Sequence, residues 1–314
     1  MKILDSLTAA RRWSPHCVAT IGKYDGMHLG HQRILDAVLA EAARRKLPSL
    51  VILSEPQPEE FFAGADAPPR LNHFYDKVDF LETYGIDAVY RLHFDAAVSQ
   101  QSADAFVRDF LVTGLGLRSL VVGDDFRFGS NRGGDIALLK RLGAELGFDV
   151  HTVPPCMDNG ERISSTLVRQ CLMAGDCDRV MRLLGRPYSI SGTVIEGRKL
   201  GRTIGVPTAN IELLTPRLPM TGVFAVKVSL PPNELEGVAN LGFKPTVDAG
   251  TRPSLEVHLL DFKGDLYGER LQVHFLRKLR DEQKFAGLPQ LQEQIQKDIA
   301  QARASFAELA GAVQ

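Results

Sequence analysis

The feature that most constrains the fold is a change of hydrophobic period near residue 185. From Cys17 to about Gly185, short apolar runs alternate with helical patterns, and "CVATIG", "SLVILS", "DAVYRLHF", "SLVVG" and "DVHTVPP" read as strands. Between them, "RILDAVLAEAARRK" puts Ile34, Leu35, Val38 and Leu39 on one helical face. "DIALLKRLGAELG" spaces Ile136, Leu139, Leu142 and Leu146 in the same way. This alternation predicts βαβ units around a parallel sheet covered on both faces. Beyond "LLGRPYSISGTV" the period becomes two. Strands are expected at 189–196, 222–230, 236–242, 254–260 and 269–278, separated by Gly, Pro and Asn turns, which reads as an antiparallel barrel or sandwich. A terminal helix is predicted in "LPQLQEQIQKDIAQARASFAEL", where Leu291, Ile295, Ile299 and Ala302 form a stripe suited to docking on the barrel.

A chain of 314 residues has room for two such domains, each with its own core, and the expected division is 1–184 and 185–314. The 37 Lys and Arg nearly balance the 38 Asp and Glu, so no overall field favours nucleic acid or an anionic membrane as a partner. Any anion must be bound by local groups. The four cysteines form no C-x-x-C pair, which argues against a zinc site or a disulfide framework and for buried thiols. No 18-residue apolar stretch occurs and "MKILDSLTAARRW" lacks a signal-peptide core, so a soluble cytoplasmic protein is expected. No pattern fixes an oligomeric state.

The stretch "TIGKYDGMHLGHQRIL" (20–35) follows the first strong strand and opens the first long helix. In a parallel α/β sheet that is the carboxyl end of a strand, where ligands usually bind. His28 and His31 then lie one turn apart on a helix start, where free N–H groups and the positive dipole end favour phosphate. Gly26 and Gly30 allow close approach of the backbone to a ligand. By itself an H-x-x-H pair more often belongs to a glycine-rich turn with solvent-exposed histidines.

Further along, Ser164, Ser165 or Thr166 of "ISST" can cap an amphipathic helix, as a plain cap or as a phosphate cradle. Arg162 and Arg169 add forks able to bind phosphate in a bidentate way. In "GDDFRFG", Asp125 can accept from a ribose or ring N–H, although an isolated D-F-x-F run is more often strand and core. In "GRKLGRTIGVPTANI" (197–211), Gly197, Gly201 and Gly205 can wrap phosphates, and Thr208 and Asn210 point the same way from an extended segment. A hydroxyl and an amide oxygen so paired suit a Mg2+ ion that keeps most of its waters. The same residues also fit a glycine-rich hairpin with polar groups on a strand face.

The motifs taken together resemble the bifunctional riboflavin kinase/FAD synthetases. "GKYDGMHLGHQ" is similar to their "G-x-F-D-G-x-H-x-G-H" form of the nucleotidylyltransferase signature, and "SEPQPEEFF" to their "F-E-P-H-P" loop. "VVGDDFRFGSNRGGD" and "GERISSTLVR" follow in the family's order, and "GRTIGVPTAN" resembles the riboflavin kinase signature "G-R-T-x-G-F-P-T-A-N". "GVANLGFKPT" and "LEVHLLDFKGDLYGERLQVHFLRKLRDEQKF" extend the match to Phe285.

The resemblance implies a Rossmann-like nucleotidylyltransferase domain followed by a β-barrel kinase. It implies that His28 and His31 bind ATP phosphates and stabilise charge at the α-phosphate. Gly22, Asp25, Gly26, Gly30, Asp125, Arg162, Ser164, Ser165, Thr166 and Arg169 would line that nucleotide site, and Gly201 and Gly205 the kinase's. Thr208 and Asn210 would hold Mg·ATP, Glu256 would take the ribityl hydroxyl proton, and Asn240 and Arg280 would contact flavin. Riboflavin, FMN, FAD and ATP would be its substrates or products.

The sequence departs from the family at Lys23, Ser54, Gln57 and Val206. Gln57 keeps hydrogen bonding but cannot be protonated, and Lys23 adds a cation beside the expected phosphates. The departures at Ser54 and Gln57 leave one rival reading, a riboflavin kinase with a slow or idle adenylyltransferase half; a second rival, a flavin- or nucleotide-binding regulator, is opposed by intact His28, His31, Asn210 and Glu256.

Overall fold

In the computed structural model, which describes residues 1–197, 205–245 and 251–311, the chain forms two compact units. The first comprises Met1–Pro68 with Asn72–Ser164, and the second Pro69–Leu71 with Ser165–Gln314.

The first unit is built on a six-stranded sheet of β1 (Lys2–Leu4), β2 (Cys17–Gly22), β3 (Ser49–Glu55), β4 (Ala88–His93), β5 (Leu117–Gly123) and β6 (Asp149–Val153). The spatial order is β1-β4-β3-β2-β5-β6 and every pairing is parallel. Successive residues face opposite ways. Ala19, Leu50 and Ile52 enter one core cluster with Phe106 and Leu139, and Val18, Val51 and Leu53 enter the other with Leu35 and Leu81. Helices α1 (Leu7–Trp13), α2 (Leu29–Arg45), α3 (Pro58–Ala63), α4 (Phe74–Tyr84), α5 (Ala96–Gln100), α6 (Ala103–Ala105, continued as a π-helix over Phe106–Gly114) and α7 (Ile136–Leu146) connect or cover the strands. A small hairpin, β7 (Met157–Asp158) with β8 (Glu161–Arg162), follows β6. The strand order reverses at β2, between β3 on one side and β5 on the other. The carboxyl ends of β2 and β5 therefore flank the crevice where such sheets bind ligands.

β1 was absent from the sequence-based expectation. Three residues, "KIL", are too short to show a period, and only the parallel register Lys2↔Ala88 to Leu4↔Tyr90 makes them a strand.

In the second unit, α8 (Ser165–Ala174) and α9 (Cys177–Leu184) precede a closed barrel of β9 (Tyr188–Ile195), β10 (Ala209–Ile211), β11 (Gly222–Leu230), β12 (Asn233–Pro245), β13 (Thr251–Leu259) and β14 (Arg270–Arg280). The order is β10-β13-β12-β11-β14-β9, all antiparallel, with β9 closing on β10. Closure removes both sheet edges. The terminal helix (Leu288–Gly311) lays Ala302 and Phe306, with Ile299, against Ala225 and Leu276 on the outer face of the barrel.

Candidate functional site

The turn after β2 is built from left-handed residues. Tyr24 (φ 50°), Gly26 (φ 88°) and Met27 (φ 47°) all have positive φ, and two of them are not glycine. Such strain persists where surrounding contacts fix it. Here Tyr24 is buried and shares a 2.7 Å hydrogen bond with the Thr20 hydroxyl, while Met27 is 1% exposed. The buried ammonium of Lys77 donates to the Lys23 carbonyl at 2.7 Å. Asp25 points inward and accepts the Asn72 N–H at 3.2 Å. The Lys23 side chain forms an ion pair with Glu59 at the start of α3.

The turn delivers His28 as the N-cap of α2. Its Nδ1 accepts the His31 N–H at 3.3 Å, a task usually done by Ser, Thr or Asp. The two rings stack with centroids 3.7 Å apart and planes 15° from parallel. A Cβ on Gly30 would lie 3.2 Å from His28 Cε1 and Nδ1, so this glycine makes room for the ring. Burial first, then the fields of His28, Lys77 and Lys23, hold His31 well below the usual histidine range. Its Nδ1 is buried with no hydrogen-bond partner. An anion reaching this helix start would meet the positive end of the helix dipole and a neutral imidazole whose protonation the anion's charge would favour.

Across the crevice, just beyond β5, Asp125 accepts from Arg162 Nη1 at 2.8 Å. That hydrogen bond holds the Asp125 carboxyl below its ordinary range and raises Arg162. Phe126 and Phe128 stack beside it, with centroids 5.6 Å apart. Ser164 immediately precedes α8 in the chain.

In the second unit, Ser165 and Thr166 begin α8, and Arg169 Nε donates to the Pro69 carbonyl at 2.7 Å. Of the expected kinase residues, the barrel gathers Asn210, Glu256, Asn240 and Arg280 on one rung. Asn210 of β10 pairs with Glu256 of β13, which pairs with Asn240 of β12. Asn240 pairs with Val223 of β11, and Val223 with Arg280 of β14. Opposed residues share a face, and here it is the outer face, since Leu255 and Val257 on either side of Glu256 are buried in the barrel. A Cβ on Gly197 would lie 2.2 Å from Asn210 Nδ2, so that glycine lets the chain press against the amide. Lys244 ion-pairs with Glu256 Oε1 and donates to Asn210 Oδ1 at 3.5 Å. His258 Nδ1 donates to the Pro207 carbonyl at 2.7 Å and so fixes the segment entering β10. Asn240 Oδ1 is buried without a partner.

Two family models match the chain, one described as FAD synthetase over residues 11–167 and one as riboflavin kinase over residues 184–306. A bifunctional riboflavin kinase/FMN adenylyltransferase of Escherichia coli K12 is 47% identical over 291 residues, covering 92% of this chain and 93% of the relative. The chain belongs to the bifunctional riboflavin kinase/FMN adenylyltransferase family. A relative of the same name from Pseudomonas fluorescens is 45% identical over 304 residues, 97% of each chain. A crystal structure titled as a macrolide-efflux protein from Streptococcus pneumoniae has a TM-score of 0.82 and 29% identity, and covers 96% of this chain and 98% of its own. No helix among the described residues here is long and apolar enough to cross a membrane.

Against this bifunctional family's motifs, the structure brings His28, His31, Gly22, Gly26 and Gly30 together around one turn. Gly22 lies under the Tyr24 ring, which a Cβ would approach to 3.1 Å. Gly205 is left-handed at φ 75°, Thr208 is exposed ahead of β10, and Gly201 lies outside the described residues. The Arg280 guanidinium is engaged by buried Asp298 of the terminal helix through Nε at 2.9 Å and Nη2 at 2.8 Å. Of the departures, Ser54 and Gln57 are both buried, and Gln57 caps α3, its N–H donating to Glu60 at 3.0 Å.

Two residues escaped the motif-based analysis. Lys77 stands among Phe74, Val78 and Leu81 on the apolar face of α4, and a lysine at a core position of a helical stripe was the signal. Asp298 interrupts the docking stripe of the terminal helix in the same way. One further acidic cluster, Glu41 with Asp149 and His151, lies at the amino end of β6, away from the crevice. There Glu41 is neutralised by Arg44 at 2.7 Å and by Arg45, so it is an ion-pair network.

Proposed function

We infer that the chain makes FAD from riboflavin in two steps. It transfers the γ-phosphoryl group of ATP to riboflavin, giving FMN and ADP, and then joins FMN to the AMP part of a second ATP, giving FAD and pyrophosphate. The matching of both halves to family models favours this reading over a kinase with an idle N-terminal half. We assign adenylyl transfer to residues 1–184 and phosphorylation to 185–314, supported by a FAD synthetase match over 11–167 and a riboflavin kinase match over 184–306, although α8 and α9 belong to the second compact unit.

For adenylyl transfer, an FMN phosphate oxygen attacks the α-phosphorus of ATP while the bond to the β-phosphate oxygen breaks. The stacked histidines supply ring N–H donors, and the α2 N-terminus supplies positive potential, where charge accumulates. The edge-packed rings of exposed Phe61 and Phe62 and half-buried Phe94, with centroids 5.2–5.9 Å apart, offer an apolar platform for the isoalloxazine beside the carboxyl ends of β3 and β4.

For phosphorylation, Glu256 accepts the proton of the terminal ribityl hydroxyl as its oxygen attacks the γ-phosphorus and ADP leaves. Asn210 and Thr208 would hold Mg2+, and the donor set fits, because the Asn210 amide oxygen already lies against a cation, the Lys244 ammonium. When bound, the ion neutralises phosphate charge. Asn240, whose buried Oδ1 has no partner, offers flavin an acceptor on the same rung. That rung, Asn210–Glu256–Asn240 on three adjacent strands, is the observation that carries the kinase reading. The described cysteines are free and buried, which suits a cytoplasmic location.

The test is to incubate the protein with riboflavin and MgATP and separate riboflavin, FMN and FAD over time. FMN followed by FAD is expected. FMN accumulating with no FAD would reduce the protein to its kinase.

A further inference from the structure

We propose that Lys244 is a stand-in cation for the phosphorylation site, held between Asn210 and Glu256 until the metal ion of MgATP displaces it. The proposal rests on the reading of Asn210 as a metal ligand. Lys244 lies two pleats along β12 from Asn240, on the same outer face, and its side chain leans back toward the rung. One ammonium thereby satisfies a carboxylate oxygen on β13 and an amide oxygen on β10. A carboxylate and an amide oxygen converging on one point are hard donors of the kind that bind Mg2+. Two cations cannot share that point without strong repulsion.

Of the three partners, the lysine is the one able to leave. Asn210 is backed by the Gly197 main chain, with space for a Cβ of only 2.2 Å. Glu256 is set by its place in the closed barrel. The Lys244 side chain is 37% exposed and has a flexible four-carbon stem, so its ammonium can swing to solvent or to an arriving phosphate. Lys244 covers the carboxylate and the amide that the reaction requires, and its departure leaves the Asn210 amide oxygen to the metal and the Glu256 carboxylate to the ribityl hydroxyl.

The test uses the full chain with Mn2+ as a spectroscopic substitute for Mg2+ and no nucleotide, free Mn2+ being read by electron paramagnetic resonance. Lys244→Met should strengthen Mn2+ binding by roughly three- to ten-fold, a range set by loss of one partly solvated competing charge. Lys244→Gln should act in the same direction, and Lys244→Arg, which keeps the charge, should match wild type. Adding Asn210→Ala to Lys244→Met should abolish the gain. The Mg2+ concentration for half-maximal FMN formation should fall by the same factor in Lys244→Met. Conversion of supplied FMN to FAD should keep its wild-type Mg2+ dependence, which also reports on folding. Unchanged or weaker Mn2+ binding in Lys244→Met would overturn the proposal and make Lys244 a permanent ion-pair partner. If Asn210→Ala alone left the Mg2+ requirement of FMN formation at wild type, the metal-ligand reading itself would fall, and the proposal with it.

Discussion

His28 caps the helix that begins one residue after it, its Nδ1 accepting the His31 N–H at 3.3 Å while the two rings stack 3.7 Å apart. One side chain thus has a structural and a chemical task, and the two can be separated. His28→Asn retains a good cap and should melt near wild type, whereas His28→Ala should lose about 0.5–2 kcal/mol. Both should lose on the order of 100-fold in FAD formation from added FMN. Recovery of FAD formation in His28→Asn would leave only the cap.

Because the folded chain holds His31 well below the usual histidine range, the unfolded chain binds more protons near pH 6.5. Stability from this group is therefore full above that pH and lost as pH falls through it, by up to about 1.4 kcal/mol per unit. The melting temperature should drop between pH 7.5 and 5.5, less so in His31→Gln. Phosphate binding should raise the same pKa, so ATP binding near pH 6.5 should take up protons. Calorimetry in buffers of different ionisation enthalpy measures this.

Glu256→Gln keeps size and hydrogen bonding but cannot accept a proton. FMN formation should fall by roughly 100-fold or more, while supplied FMN is still converted to FAD. Unchanged phosphorylation of riboflavin would remove Glu256 from the mechanism.

Lys77→Met takes away the buried donor to the Lys23 carbonyl, at a cost of about 1–3 kcal/mol. FAD formation should drop with FMN formation untouched. Equal loss of both activities in a folded protein would separate Lys77 from the catalytic turn.

A kinase fragment starting at Ser165 should outlast one starting at Gly185 in a urea titration. The shorter fragment lacks α9, whose Val180, Leu183 and Leu184 are at most 1% exposed and which packs on β9 and β14. Each such side chain is worth about 1.5–3 kcal/mol when buried. Equal midpoints would show that α9 adds nothing to the barrel.

The sequence by itself determined the two periods, and with them the parallel sheet, the barrel and the docked terminal helix, because burial on both faces or one writes its repeat directly into the chain. It also marked the turn at 20–35 and the segment at 197–211, since glycines and short polar residues in fixed order are local features. Tertiary structure decided what distance along the chain conceals. Asn210, Glu256 and Asn240 become neighbours only through the register of three strands. Lys244 reaches two of them across the sheet, and Lys77 serves a carbonyl 54 residues away. Arg162, which reads as a phosphate fork, meets Asp125, and Arg280, which the family resemblance gives to flavin, meets Asp298, so both guanidiniums are held by carboxylates. Period and turn chemistry are properties of adjacent residues, whereas pairing, burial of charge and the field at His31 arise from packing between segments remote in sequence.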